Sequence, residues 1–142
     1  MDRPIIITFS GKAQHGKDSS ARILKQIVEQ CGKKALKINY ADYLRFIATQ
    51  YLGWNGIMDK KSRTALQNFA TEKVRSKYPD FWIDSVFRIV QILEDDYDYI
   101  LIGDCRFEKE IVHWVNEGYG VLSFYVTRTD FESELTQEQK NI

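Results

Sequence analysis

Residues 4–10, Pro4-Ile5-Ile6-Ile7-Thr8-Phe9-Ser10, form a continuous apolar, β-branched run bounded by Pro4 and Gly11, the pattern of a strand buried on both faces. The period then changes. Apolar residues recur at Ala21, Leu24, Ile27, Val28 and Cys31, which predicts a one-sided helix lying on a sheet, closed by Gly32 as a C-terminal cap. Ala35 to Tyr40 reads as a second short strand, so a β-α-β unit with parallel pairing and a right-handed crossover is complete. Helical spacing resumes over 41–52 at Ala41, Leu44, Ile47, Ala48 and Leu52, until Gly53-Trp54-Asn55-Gly56 breaks it. Residues 60–77 and 80–95 predict two more helices, with Pro79 stopping the first and Asp80 capping the second. Tyr99 to Gly103 is the next strand, Phe107 to Glu117 a helix ended by Gly118, and Val121 to Val126 the last strand.

The order β-α-β-α-α-α-β-α-β predicts a three-layer α/β domain around a mainly parallel sheet, with ligands at the carboxyl ends of the strands. Gly11 to Asp18, Asp42, Asp104 to Arg106 and Arg128 all follow predicted strands, so they are expected to gather on one edge. Residues 1–142 read as one domain, with a helical insertion over 41–95 and a charged tail or lid over 128–142.

Charge narrows the choice of ligand. Lys+Arg and Asp+Glu are both 20, so no global basic field recruits nucleic acid or an anionic membrane, and any polyanion site must be local. Cys31 and Cys105 have no second cysteine or clustered histidine at ligand spacing. Both read as free thiols acting as small apolar residues in a reducing compartment. Met1-Asp2-Arg3-Pro4 enters a strand without a signal-peptide pattern, and no apolar run approaches the length of a membrane span, so a cytoplasmic location is expected.

The first strand runs directly into Gly11-Lys12-Ala13-Gln14-His15-Gly16-Lys17-Asp18-Ser19. Glycines at 11 and 16 allow a tight turn whose amides form a nest for phosphate oxygens, at the positive end of the following helix. Lys17 would reach the β- and γ-phosphates as a mobile charge. Asp18 stands where Ser or Thr commonly supplies a hydroxyl to Mg²⁺. Three readings stay open: Asp18 holds the metal or one of its waters, Asp18 favours the helix macrodipole, or Ser19 is a shifted hydroxyl donor.

Ile100-Leu101-Ile102-Gly103-Asp104 ends an apolar strand in a carboxylate, the arrangement that sets an acid near phosphate-bound Mg²⁺; a turn-starting Asp is the plainer reading. Arg106 offers a planar fork to phosphate, or an ion pair to Glu110 four residues on. The insertion carries Arg45, Arg63, Gln67, Glu72, Arg75 and Trp82, a combination suited to a second anionic, planar ligand. Trp82 also lies in line with Val86, Ile89 and Leu93, which suits core packing equally. Arg128, directly after the last strand, would offset charge on a moving phosphoryl group. His15 is expected to shape the loop or touch ligand, and His113 to be structural or exposed.

Gly16-Lys17-Asp18, Tyr40-Ala41-Asp42-Tyr43-Leu44, Leu66-Gln67-Asn68-Phe69-Ala70-Thr71-Glu72, Asp80-Phe81-Trp82 and Asp104-Cys105-Arg106-Phe107 together resemble the bacteriophage-type deoxynucleoside monophosphate kinases. The matches span about residues 5–130. The resemblance implies a P-loop nucleoside monophosphate kinase-like fold, use of ATP and Mg²⁺, and a deoxynucleotide acceptor in the cytoplasm, that of the host for a phage-encoded protein. It implies that Gly11, Gly16, Lys17 and Asp18 hold ATP and its metal, that Asp42, Arg45, Gln67 and Arg75 face the deoxynucleotide, and that Asp104 and Arg106 face the reaction centre. Lys12, Ala13, Gln14, His15 and Ser19 complete the expected phosphate loop, Arg63 and Trp82 the acceptor side, and Asp104 the metal site with Asp18. Small-molecule nucleotides are the expected partners, and a homodimer is left open. Phosphomevalonate kinases look similar through their own Gly-Lys-Asp loop, and a nucleotide-binding module without transferase activity is the other alternative. Family members continue past Leu135-Thr136-Gln137-Glu138-Gln139-Lys140 into an element that helps enclose the adenine, whereas this sequence stops at Ile142, which puts the base pocket in question.

Overall fold

The alternation of periods translates into alternating strands and helices. The computed structural model describes residues 3–12, 15–54, 56 and 59–129. In it β1 (Ile5–Ser10) leads through the glycine loop into α1 (Lys17–Gln30), followed by β2 (Ala35–Ile38) and α2 (Ala41–Tyr51). Next come α3 (Lys60–Asn68), a π-helical segment (Phe69–Arg75) and α4 (Phe81–Leu93). A 3-10 turn (Glu94–Asp96), β3 (Tyr99–Cys105), α5 (Glu108–Asn116) and β4 (Val121–Tyr125) complete the order. The four strands pair in parallel in the order β2-β3-β1-β4.

Each face of the sheet has its own core, which is why the central strands are apolar at successive positions. Ile6, Ile100 and Ile102 pack with Leu44, Leu66, Val86, Val90 and Trp114 from the helices of one layer. Ile7, Phe9 and Leu101 pack against Ala21, Leu24 and Val28 of α1 on the other. Ile6, Ile100, Leu101 and Ile102 are wholly inaccessible, each contributing about 1.5–3 kcal/mol of burial. The expected three-layer arrangement around a parallel sheet is thus the observed one.

Four local expectations need correction. The apolar stripe of α1 is narrower and shorter than its spacing suggests: Ile27, around the helix from Ala21 and Val28, is 50% exposed, and Cys31, at the C-cap of the helix, is exposed. Only Cys105 of the two thiols behaves as a buried apolar residue. The helix expected over 60–77 stays α-helical only to Asn68 and then widens, the Ser76 amide reaching back to the carbonyl of Thr71. Asp80 precedes α4 but does not cap it through its side chain; its carboxylate instead takes Lys109 at 3.3 Å.

Strand β3 runs past Gly103 to Cys105 because it carries a bulge. Thr8 pairs with Ile102 but Ser10 with Cys105, so β3 holds one more residue than β1 over that stretch. At the same end of the sheet the buried Tyr40 ties α2 to α5. Its hydroxyl donates to the Glu110 carbonyl and accepts from Trp114 Nε1, both at 3.0 Å. Burial pushes the Tyr40 hydroxyl well above its ordinary pKa, so it remains a donor. Among the described residues no helix is long and apolar enough to cross a membrane.

Candidate functional site

The loop after β1 is shaped by its glycines. Gly11 has φ 146°, and a Cβ there would collide with the carbonyl oxygen of Val126. Gly16, at φ 95°, is the N-cap of α1 and brings no side chain across the first amides of the helix. The loop is held by the His15 amide on the Lys12 carbonyl at 3.2 Å and by the Arg128 amide on His15 Nδ1 at 3.0 Å. His15 therefore shapes the loop, as one of its two expected roles. Ala13 and Gln14 lie outside the described residues.

Above the carboxyl ends of the strands opens a cleft of about 750 Å³. Gly16, Lys17, Asp18 and Ser19 line one part of it. Arg45, Arg63, Gln67, Thr71, Arg75 and Trp82 from the helices between β2 and β3 line another. Asp42, Asp104, Arg106 and Arg128 lie between. Of the residues predicted to gather on one edge, Gly16, Lys17, Asp18, Asp42, Asp104, Arg106 and Arg128 line the cleft. Gly11, Lys12 and His15 stand outside the lining. Among the described residues eight cationic and three acidic side chains line the cleft, in a chain whose formal net charge is zero. That local excess is a strong attractor for a polyanion.

Several of the charged groups are held by identifiable contacts. Lys17 is 8% exposed and its Nζ donates to the Gly11 carbonyl at 3.1 Å. Burial lowers its pKa, and Arg106 and Arg63 add to that, while Asp104 opposes them. Asp104 accepts the amides of Tyr40 at 2.8 Å and Ala41 at 3.0 Å, one on each oxygen, and so anchors the start of α2. Burial pushes its carboxyl up, against those bonds and the charges of Arg106 and Arg45. Asp42 accepts the Asn39 amide at 2.9 Å and has Arg45 at 3.8 Å.

Arg106 is delivered by the turn into α5. Glu110, 2% exposed, meets Arg106 at the backbone: its carboxylate accepts the amides of Arg106 at 2.7 Å and Phe107 at 2.8 Å. The guanidiniums of Arg106 and Arg75 approach the Phe107 ring, at 5.2 and 5.1 Å from its centroid. Trp82 packs in the core, 4% exposed and edge-on to Phe81 at 4.8 Å, and also lines the cleft. Its Nε1 and the Nε of Arg63 are buried without a hydrogen-bond partner, two donors in the wall that an acceptor-bearing ligand would satisfy. His113 is structural, packed edge-on to Phe87 and Trp114.

Three residues of the cleft, Lys37, Asn39 and Arg22, were not singled out in the sequence. Lys37 and Asn39 line it beside Asp18: Lys37 Nζ lies 2.6 Å from Asp18 Oδ1, and Asn39 Nδ2 donates to the same oxygen at 3.2 Å. The legible signal was Ala35-Leu36-Lys37-Ile38-Asn39, a strand whose α1-facing positions turn polar toward its carboxyl end. Arg22 closes the other oxygen of Asp18 at 3.0 Å. Burial raises the Asp18 carboxyl, but the bonds from Lys37 and Asn39 and the charges of Lys37 and Arg22 outweigh it and hold it below its usual value.

The donor set is compatible with a phosphate-borne divalent cation, which needs few protein ligands. Among the described residues no group of three or more His, Cys, Asp or Glu could hold a metal ion by itself. Asp18, Ser19 and Asp104, each with side-chain oxygens, line the cleft near Lys17 and Arg106.

No family model and no curated sequence matches the chain. Solved structures do. A cysteine-to-alanine variant of the APS kinase CysC of Mycobacterium tuberculosis superposes with a TM-score of 0.53 at 13% identity, over 96% of this chain and 83% of that one. The crystal structure of APE1195 matches with a TM-score of 0.51 at 13% identity, over 91% of this chain; the chain spans 63% of its length. At such identity the likeness is one of fold: the chain has a P-loop kinase-like α/β fold.

Proposed function

We propose that the protein transfers the γ-phosphoryl group of ATP to a deoxynucleoside monophosphate, releasing ADP and the deoxynucleoside diphosphate. The observation that carries this reading is the strongly cationic cleft lined by Gly16 and Lys17 at the end of the glycine loop and by Arg45, Arg63, Gln67, Arg75 and Trp82 from the helices between β2 and β3. A fold shared with an APS kinase supports a kinase-type reaction.

In this reading the amides at the start of α1 and Lys17 take the donor phosphates. Arg63 and Arg75 take the acceptor phosphate, and Gln67 and the orphaned Trp82 Nε1 take acceptors on its nucleoside. Arg106 and Arg128 offset charge on the group in transit, so catalysis is positioning and electrostatic stabilisation rather than covalent chemistry. Mg²⁺, when bound, would neutralise part of the charge on the phosphates, and Asp18, Ser19 and Asp104 are the residues that would hold it or its waters. No strong general base is required, in keeping with the structural roles of both histidines.

A second reading has its own observation: both oxygens of Asp104 are already engaged by backbone amides, which suits a nucleotide-binding module without transfer. A coupled assay of ADP release over the four deoxynucleoside monophosphates separates the two. Acceptor-dependent turnover that falls by a factor of about 100 or more in Lys17→Ala supports the kinase. ATP binding by calorimetry with no acceptor-dependent ADP supports the module and rejects the kinase.

A further inference from the structure

Lys37 sits in the interior of a strand, its side chain 17% exposed, on the face of the sheet that α1 covers. An ammonium is costly there unless paired, and the pairing is built from three elements. Asp18 comes from α1 at 2.6 Å and Asn39 Oδ1 from the end of β2 at 3.3 Å. The same Asn39 oxygen accepts the Gly103 amide of β3 at 3.1 Å. Gly103 leaves the space for this assembly: a Cβ on it would stand 2.9 Å from Asn39 Oδ1, 3.3 Å from Asp18 Oδ1 and 3.4 Å from Lys37 Cε. The Arg22 contact on the other oxygen is 71% exposed on the arginine side and is worth little by comparison.

We infer that Lys37 is a positioning residue that keeps Asp18 an outer-sphere ligand, holding waters of the metal rather than the metal itself. The inference rests on the nucleotide-binding reading of the cleft. Direct coordination through Oδ1 would set a divalent ion against the oxygen that Lys37 approaches at 2.6 Å, and coordination through Oδ2 would set it across the same carboxylate from that ammonium, so the two cations repel either way. Mg²⁺ gives up its waters reluctantly, so a carboxylate already occupied by a fixed ammonium suits its hydrated form. Without Lys37 the carboxylate becomes available to the ion, and the site gains one negative charge.

The sign of the effect separates this from a merely structural role, which would loosen the cleft and weaken binding. The test is a Mn²⁺ titration followed by electron paramagnetic resonance, with β,γ-methylene ATP present. Lys37→Met is expected to bind Mn²⁺ about tenfold more tightly than the unaltered protein. Lys37→Arg should bind as the unaltered protein does, and the gain should vanish when Lys37→Met is combined with Asp18→Asn. Lys37→Gln carries the same expectation as Lys37→Met and keeps a polar head over Asn39 should the methionine variant not fold. Unchanged or weaker Mn²⁺ binding in the folded variant overturns the inference while leaving the proposed function standing. Failure of the unaltered protein to bind the nucleotide analogue and Mn²⁺ overturns both.

Discussion

Asp18 shows how much a single position depends on its surroundings. In the sequence it was the odd member of a phosphate loop, open to three readings. In the fold it is a carboxylate between Lys37, Asn39 and Arg22. Lys37 and Asn39 could not be assigned to it from sequence, since the contact joins α1 to β2 and depends on the space above Gly103. The shift of Asp18 has a consequence for stability. Its ordinary value is 3.8 and its folded value is lower, so the unfolded chain binds more protons in that window. Its contribution is therefore present above pH 3.8 and is lost as pH falls through the folded value. Melting temperatures of the unaltered protein and Asp18→Asn, compared from about pH 5 to about pH 3, should converge toward the acid end. A gap that stays constant with pH contradicts the assignment.

At the scale of elements, strand and helix periods carried most of the architecture. The parallel order, the α1 crossover and the helices between β2 and β3 were legible because each element has one dominant pattern. What the pattern missed was governed by contacts between elements. The bulge in β3 arises from pairing with β1, and the π-helical stretch from Phe69 to Arg75 interrupts a helix whose spacing looked continuous. Asp104 read as a carboxylate set near phosphate-bound Mg²⁺ or a turn starter, and its bonds to Tyr40 and Ala41 show how it anchors α2 to the end of the sheet. The link between α2 and α5 through Tyr40 was invisible in sequence because its partners lie 70 and 74 residues away. Tyr40→Phe leaves Trp114 Nε1 buried without an acceptor and should cost about 1–3 kcal/mol in denaturant unfolding, with nucleotide binding retained. A loss below about 0.5 kcal/mol would show that the link carries no weight.

For the molecule as a whole, a neutral chain gathers eight cationic side chains around one cleft at the carboxyl edge of its sheet. Most of the site was legible because strand ends in an open parallel sheet converge on one edge, so that Lys17, Asp42, Arg106 and Arg128 meet although they are far apart in sequence. The claim that follows is that donor and acceptor occupy this one cleft together. A bisubstrate ligand, adenosine joined through five phosphates to a deoxynucleoside, tests it in a single calorimetric titration. If both halves are present, it should bind at least about 100-fold more tightly than ATP or the deoxynucleoside monophosphate alone, because the second half binds intramolecularly. Lys17→Ala and Arg75→Ala should each weaken it. Binding no tighter than ATP, and insensitive to Arg75→Ala, would contradict a two-substrate site.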